Sequence, residues 1–269
     1  MPTEDYKLYG GDVTLMFNEA KHKYTVIDPE KGLDNAPLVS TTSVTKVIDK
    51  PALIFWAVNE AMNWLQHQWR PGRAYGSAQI AYLLKQAKFA HKNVSKTATD
   101  IGTEVHAWIE RFADAVIAGM EDPHRFPLPA HEGVLSGVTA FLSWYDAHDV
   151  KIIASEKKVY SRKHTFSGTF DLLATVDGVL SVVDFKTSKR IYPEYFLQSS
   201  AYAVAYDEEQ AYIRKKNGDT SKVKRVSQII VLRVPKDGSD FEAGSSTDVR
   251  GHFKTFLSCL DILKWQSRQ

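Results

Sequence analysis

The pattern of apolar and polar positions divides the chain into a mainly helical first half and a strand-rich second half. Residues 13–27 alternate as two short strands around a polar turn, which predicts a hairpin, and the next segment, with Gly32, Asn35 and Pro37, predicts a loop. Helix N-cap candidates follow at residues 40–43. Apolar spacing then predicts helices over residues 51–69, 74–89, 99–119 and 132–148.

Beyond residue 150 the alternation becomes that of strands. It predicts a strand over 151–160, a hairpin within 168–186 and a further strand over 226–234. Helices are predicted over 194–214 and 247–265. Between them, the polar and basic stretch 215–225 predicts a mobile surface loop.

The hairpin within residues 168–186 carries the clearest pattern. Two runs rich in Val, Leu and Phe flank Asp177-Gly178, a dipeptide typical of two-residue hairpin turns. In that register Asp171 lies opposite Asp184, and directly opposed residues have Cβ atoms about 4.5–5.5 Å apart. Because two carboxylates on apolar strands repel each other, a divalent cation held between them would resolve the conflict.

Lys186 adds a positive charge to the same face, because it lies two residues after Asp184. The three residues Asp171, Asp184 and Lys186 are therefore candidates for a catalytic group. Two plainer interpretations remain open: Lys186 forms salt bridges with the acids, or Asp171 ends its strand in solvent.

Glu156 is the candidate for a third acid. If residues 161–164 form a four-residue loop, Glu156 pairs with Thr169 and shares a face with Asp171. A solvated glutamate beside the two following lysines is the alternative.

Two sets of residues at one-turn spacing on predicted helices are further candidates for the site. His106 has Gly102 and Glu110 one turn away on either side; the glycine leaves room for another element, and Glu110 could orient the imidazole. Gln198 and Tyr202 are one turn apart on the helix that follows the Lys186 strand, where Gln198 could reach a phosphate or a water. The alternatives are a structural histidine and an ordinary buried Gln and Tyr.

Composition and charge exclude several kinds of protein. A net charge of +2 is only a weak indication of a nucleic-acid partner, so a site for a polyanion has to come from local clustering. The single Cys259 excludes an intramolecular disulfide, a zinc-ribbon site and a cysteine-ligated iron–sulfur cluster, and it favours a reducing cytoplasm. Neither a signal peptide nor an apolar run long enough to span a membrane is predicted.

Five of these features occur in a fixed order between about residues 101 and 206: a Gly-x-x-x-His sequence ending at His106, then Glu156, Gly168-x-x-Asp171, Asp184-x-Lys186 and Gln198-x-x-x-Tyr202. In this order and spacing the chain resembles the PD-(D/E)XK nuclease superfamily, specifically its RecB-like exonuclease branch. Residues 23–24 and 43–45 and the Trp-bearing helix also resemble bacteriophage members of that branch. With one cysteine, the chain resembles members that lack an iron–sulfur cluster.

The resemblance implies an α/β fold of the restriction-endonuclease type, with a central mixed sheet flanked by helices. We expect a single domain over 1–269, with a hairpin and helical elaboration in 1–98 and the catalytic core in 99–269. His106, Asp171, Asp184 and the Phe185 carbonyl are implied as ligands of one or two Mg²⁺ or Mn²⁺ ions. The other implied members of the active site are Glu156, Lys186, Gln198 and Tyr202.

The expected activity is metal-dependent hydrolysis of DNA, from single strands or strand ends, in recombination, repair or replication. We expect a cytoplasmic location in a bacterial or phage-infected cell, with partner proteins of those pathways and no membrane. Two alternatives are an endonuclease of the same fold and a DNA-binding protein with a degenerate site. The candidate phosphate contacts, each of which could equally be a solvated surface residue, are Lys157, Lys158, Arg162, Lys163, Lys189 and Arg190.

Overall fold

The structure is a computed structural model that describes residues 3–221 and 224–268. It contains two compact units, one formed by Met1–Ile48 with Val105–Gln269 and the other by Asp49–Glu104. The helices are α1 (Thr41–Thr45), α2 (Pro51–Gln68), α3 (Ser77–Ile117), α4 (Glu132–Ala147), α5 (Pro193–Lys216) and α6 (Val249–Gln266). The strands are β1 (Glu4–Leu8), β2 (Val13–Asn18), β3 (Lys23–Asp28), β4 (Leu33–Ser40), β5 (Val150–Ser161), β6 (Phe166–Val176), β7 (Val179–Lys186), β8 (Gln228–Arg233) and β9 (Glu242–Ser246).

Over the described residues, the first unit is built on a mixed sheet of nine strands. Strands β1 to β4 form an antiparallel meander, and β4 joins β6 in parallel through Val39 and Ser40. Strands β5 and β7 both pair with β6 in antiparallel orientation. Strand β7 also pairs with β8 in parallel, and β8 pairs with β9 in antiparallel orientation. The predicted mixed α/β fold is confirmed.

The N-terminal meander follows the alternation of its sequence. Val13 and Leu15 of β2 and Val26 of β3 are fully buried on one face, which confirms the predicted hairpin. The predicted loop after it is wrong, because Leu33–Ser40 is strand β4. Pro37 is compatible with this strand, since the other edge of β4 is paired only near its end.

Helices of the first unit flank the central strands. Tyr206 of α5 packs edge-on against Phe170 of β6, with ring centroids 6.1 Å apart. Phe141 of α4 contacts Phe185 of β7 in the same manner at 5.5 Å. Phe170 and Phe185, the sequence neighbours of Asp171 and Asp184, therefore both pack against helices of this unit.

The helix predictions are confirmed within a few residues, with one exception. The predicted break between residues 90 and 98 is wrong, because α3 runs without interruption. That stretch contains neither Gly nor Pro, and a small polar residue within it bonds back to the helix: the Thr97 hydroxyl donates to the Asn93 carbonyl at 3.3 Å.

Strands β1 and β9 lack a clear alternation of apolar and polar residues and were not predicted from the sequence. The predicted loop 215–225 begins inside α5, which extends to Lys216, and its residues 222 and 223 lie outside the described part of the chain. In the described residues, no helix is long and apolar enough to cross a membrane.

Asp207 of α5 gives the fold a pH-dependent stability. Burial raises the pKa of its carboxyl from 3.8 to about 6, while its Oδ1 accepts a hydrogen bond from the Val226 N–H at 3.0 Å. The folded state therefore binds this proton more tightly than the unfolded chain. The free energy of unfolding falls as the pH rises from about 4 to about 6 through this group.

Asp207→Asn keeps an acceptor for the Val226 N–H and removes the buried charge. We expect it to raise the free energy of unfolding by about 1–2 kcal/mol above pH 6 and to have little effect at pH 4. Urea unfolding at pH 4, 5 and 7 measures this, with the exposed Asp261→Asn as the control. An equal effect at all three pH values would show that ionisation is not the cause.

Candidate active site

The turn between β6 and β7 sets the register of the candidate site. Asp177 and Gly178 have φ angles of 49° and 82°, and positive φ at both central residues is the requirement of a type I′ turn. Val176 pairs with Val179, as the two-residue loop predicts. The predicted hairpin register is confirmed along this ladder.

The two aspartates stand just past the end of that ladder. Its last pair is Leu172 with Val183, so Asp171 and Asp184 are the next residues on the two strands. The backbone N–H of Phe185 donates a hydrogen bond of 2.6 Å to Asp171 Oδ2. That bond fixes one oxygen of Asp171 where the two strands separate.

The loop between β5 and β6 begins one residue later than predicted. Ser161 still pairs within β5, so the loop comprises residues 162–165. Thr165 has a left-handed φ of 60° and donates its N–H to the Ser161 carbonyl at 2.8 Å, which closes the loop. The predicted pairing of Glu156 with Thr169 is therefore wrong by two positions.

Glu156 instead stands opposite Asp171. Its neighbours Ser155 and Lys157 both pair with β6 in one continuous register, and Glu156 lies between them. Its own φ is 43°, in the left-handed region that non-glycine residues seldom occupy. Such a conformation costs about 1–3 kcal/mol and persists where the surrounding structure imposes it.

The side chains of β5 before and after Glu156 lie on different faces of the sheet. The Ser155 hydroxyl donates to Asp114 of α3 at 2.7 Å, whereas the Lys157 ammonium is 3.5 Å from Glu209 of α5. In a regular strand, two residues so spaced would share a face. The left-handed φ of Glu156 breaks this alternation without adding a residue to the ladder, because the pairs on either side of it stay in one register.

The α3 helix brings His106 to the same point. Its Nδ1 is 3.4 Å from Asp171 Oδ1, and its ring lies edge-on to Phe185 with centroids 6.0 Å apart. Burial opposes the charge on the imidazole, but the Asp171 carboxylate outweighs it and raises the pKa of His106. Among the ion pairs of the described residues, the carboxylate beside this imidazole is therefore that of Asp171 and not that of Glu110, the predicted partner.

His106, Glu156 and Asp171 form a group of ligands. Each offers one ligand atom, and these atoms all lie within 4.8 Å of one another. Burial, followed by the charge of Asp171, raises the pKa of Glu156 to about 7. For Asp171 itself, burial is outweighed by His106 and the other donors, so its pKa is lowered. An imidazole nitrogen with two carboxylates fits Mg²⁺ or Mn²⁺.

Asp184 and Lys186 form a buried ion pair beside this group. The Lys186 ammonium is 2.5 Å from Asp184 Oδ2, and the two side chains are 18% and 2% exposed. Burial raises the pKa of Asp184 to about 6, with Lys186 opposing this shift and Asp171 adding to it. The three-residue group does not include Asp184, so its predicted role as a ligand stays a prediction, as does that of the Phe185 carbonyl.

Gln198 and Tyr202 meet two threonines that the sequence did not indicate as site residues. The Gln198 amide donates to the Tyr202 hydroxyl at 2.5 Å and to Thr42 Oγ1 at 3.0 Å. The Thr41 hydroxyl also donates to Tyr202, at 3.1 Å. Thr41 and Thr42 stood out only as helix-cap candidates, and their contact with α5 depends on tertiary packing.

Gly168 is required by this cluster. A Cβ at this position would lie 2.5 Å from Tyr202 Cε1 and 2.8 Å from Thr41 Oγ1. We expect Gly168→Ala to displace Tyr202, to lower the free energy of unfolding by about 1–3 kcal/mol and to reduce activity. Chemical unfolding and DNA digestion measure both effects, with Gly76→Ala, which has open space around it, as the control. Normal stability and activity of Gly168→Ala would contradict the close approach.

Arg162 belongs to the interior and not to a DNA-facing surface. Its side chain is 7% exposed, and its Nε and Nη2 donate to the two carboxylate oxygens of Asp28 at 2.8 Å each. Nη1 donates to Glu30 at 2.6 Å. The structure corrects the interpretation of Arg162 as a phosphate contact, because its guanidinium is already neutralised inside the fold.

The remaining candidate cations differ in environment. Lys157 faces Glu209, as described above, whereas Lys158 lies over the ring of Tyr6 at 5.4 Å from its centroid. The exposed candidates are Lys163, Lys189 and Arg190. Their role in binding DNA stays a prediction.

The site thus combines two acids at the end of a hairpin, a lysine two residues past the second acid and a histidine from a packed helix. This combination on a mixed sheet is typical of nucleases. The family model of the PD-(D/E)XK nuclease superfamily matches residues 73–249, about two thirds of the chain. The chain belongs to this superfamily. No characterised protein matches it in sequence.

Membership of the superfamily indicates a nuclease with DNA as its substrate. PD-(D/E)XK nucleases use divalent metals, and the His106, Glu156 and Asp171 group supplies suitable ligands.

Proposed function

We propose that this chain is a divalent-metal-dependent DNA exonuclease that hydrolyses phosphodiester bonds in single-stranded DNA or at strand ends. The observation that carries the proposal is the group of His106, Glu156 and Asp171 beside the Asp184–Lys186 ion pair. When bound, Mg²⁺ or Mn²⁺ supplies positive charge for the scissile phosphate and makes an attacking hydroxide available at neutral pH. The ligands proposed for it are His106, Glu156, Asp171, Asp184 and the Phe185 carbonyl.

Lys186 places a fixed positive charge at the end of β7. Burial opposes this charge, but Asp184 and then Asp171 outweigh it and raise the pKa of Lys186, so the ammonium stays protonated at neutral pH. The ring of Tyr195 lies 5.1 Å from the ammonium and restricts its position. A positioned charge of this kind stabilises the negative charge that develops on the phosphate during hydrolysis.

Tyr202 is proposed as a hydrogen-bond donor to the DNA phosphate or to the attacking water. Its hydroxyl oxygen accepts from both Thr41 and Gln198, which leaves its own proton to donate. Burial and the nearby Asp184 raise the pKa of Tyr202 well above 10, so this proton is retained. Gln198 positions the hydroxyl through the same contact.

The exonuclease assignment is supported by the order of features that resembles the RecB-like branch, above all the histidine on α3 and the Gln198-x-x-x-Tyr202 pair. Both features now lie around one hairpin end. We also propose a cytoplasmic role in recombination, repair or replication of DNA, alongside partner proteins of those pathways.

A digestion panel tests the proposal. Substrates of one sequence are prepared as end-labelled single strands, linear duplex, nicked duplex and closed circular single- and double-stranded DNA, each with Mg²⁺, Mn²⁺ or EDTA. We expect metal-dependent release of short products from linear DNA and no cutting of closed circles. Cutting of circles would favour an endonuclease, and no digestion with any metal would favour a non-catalytic DNA-binding protein.

A further inference from the structure

A cavity of about 380 Å³ lies between β1 and β5, next to the acid group. Its walls are Tyr6, Lys7 and Leu8 of β1 and residues 154–158 of β5. Glu156 belongs both to this wall and to the ligand group with His106 and Asp171. A molecule bound in the cavity is therefore a direct neighbour of one bound by the acids.

Lys158 is the cation that the aromatic side chains hold in place. Its ammonium lies over the ring of Tyr6 at 5.4 Å and over that of Phe17 at 5.6 Å, and it donates to the Glu156 carbonyl at 3.3 Å. Among the ion pairs of the described residues, none joins Lys158 to a carboxylate, although its charge opposes the rise that burial and Asp171 cause in the pKa of the nearby Glu156. Lys157, in contrast, faces Glu209 of α5 and is neutralised there.

The rings that hold Lys158 are themselves fixed. The Tyr6 hydroxyl donates to Glu4, and Phe17 stacks on Tyr24 with centroids 4.6 Å apart. The Tyr24 hydroxyl in turn bonds Thr169 Oγ1 at 2.9 Å, directly opposite Lys158 on β6. The N-terminal meander thus positions one half-buried ammonium beside the acid group.

Resting on the proposed nuclease function, we propose that Lys158 binds the DNA phosphate adjacent to the one that is hydrolysed, with Tyr6 and Phe17 as positioning residues. An ammonium without a carboxylate partner, held on aromatic rings, is set to receive an anion. The cavity then holds the backbone of the nucleotide next to the cleaved bond.

The test is DNA binding without metal, so that no cleavage contributes to the signal. Fluorescence anisotropy of an end-labelled single-stranded oligonucleotide is measured in EDTA over a series of KCl concentrations. We expect Lys158→Met to weaken binding about tenfold, and to reduce the magnitude of the slope of log K against log [salt] by about 0.7, the value for one phosphate contact on a single strand.

Two further variants separate charge from position. Tyr6→Leu keeps the charge of Lys158, so we expect binding to weaken about two- to fivefold with an unchanged salt slope. Lys158→Arg keeps both the charge and the contact with the rings, so we expect its affinity and salt slope to be close to those of the wild-type protein. Lys151→Met is the matched control: Lys151 lies on the same strand, exposed, 3.3 Å from Asp149, and its loss is expected to change neither quantity.

The outcomes distinguish this inference from the proposed function. An unchanged affinity and salt slope in a folded Lys158→Met protein would overturn the phosphate site and leave the nuclease assignment intact. A wild-type protein that digests no DNA with any metal would overturn the assignment, while the binding data in EDTA would still decide the role of Lys158.

Discussion

Replacing Asp171 with asparagine is expected to lower DNA digestion by about 10²–10³-fold, the loss typical of removing one group that stabilises transition-state charge. Asp171 is the one residue that contacts His106, accepts from the Phe185 N–H and stands opposite Glu156. Its loss removes a proposed metal ligand and the carboxylate beside the His106 imidazole. The asparagine keeps an oxygen for the Phe185 N–H, so we expect the fold to remain.

The measurements are initial rates of digestion and thermal unfolding, each with and without Mn²⁺. Wild-type protein is expected to gain thermal stability with Mn²⁺, because a ligand that binds only the folded state stabilises it, and Asp171→Asn is expected to lose that gain. Asp149→Asn is the control, since Asp149 is exposed and its side chain contacts only Lys151 among the described ion pairs. A rate for Asp171→Asn within tenfold of wild type would contradict the proposed site.

Replacing Arg162 with methionine is expected to lower the free energy of unfolding by about 3–5 kcal/mol, because it leaves the fully buried Asp28 carboxylate without its partner. Arg162 also lies over the rings of Tyr9 and Tyr212, at 4.7 and 4.8 Å. Equilibrium unfolding in urea measures the loss.

Lys163→Met is the control for Arg162→Met, because Lys163 is the next residue and is exposed. We expect the free energy of unfolding of the Lys163→Met protein to equal that of the wild type. The double variant Arg162→Met with Asp28→Asn is expected to recover part of the loss, because the unpaired charge is removed. If Arg162→Met left stability unchanged but weakened DNA binding and its salt dependence, Arg162 would be a phosphate contact after all.

The sequence predicted the part of the site that depends on a short, constrained turn. Asp177-Gly178 allows one loop of two residues, so the pairing of β6 with β7 and the placement of Asp171 and Asp184 followed directly. The four-residue loop after β5 is less constrained. A left-handed Thr165 moved it by one residue, and the pairs of residues 154–161 with β6 are displaced by two positions from those predicted.

Features that depend on tertiary contacts were beyond the sequence. The left-handed Glu156 breaks the alternation on which strand predictions rest, so the change of face between Ser155 and Lys157 could not follow from parity. The contact of Thr41 with Tyr202 joins residues 161 positions apart, and a polar threonine gives no sign of it. Arg162 was predicted to be a phosphate contact or a solvated surface residue, because only the fold shows that Asp28 is buried beside it.

We propose that His106, Glu156 and Asp171 together hold a divalent cation. Crystals soaked in Mn²⁺ and measured near the manganese absorption edge show whether they do, because the anomalous signal locates the ion without reference to activity. We expect an anomalous peak in contact with His106, Glu156 and Asp171, and we expect this peak to be lost in Asp171→Asn crystals. If wild-type crystals showed Mn²⁺ peaks at other positions but none beside these three residues, the proposed metal site would be wrong.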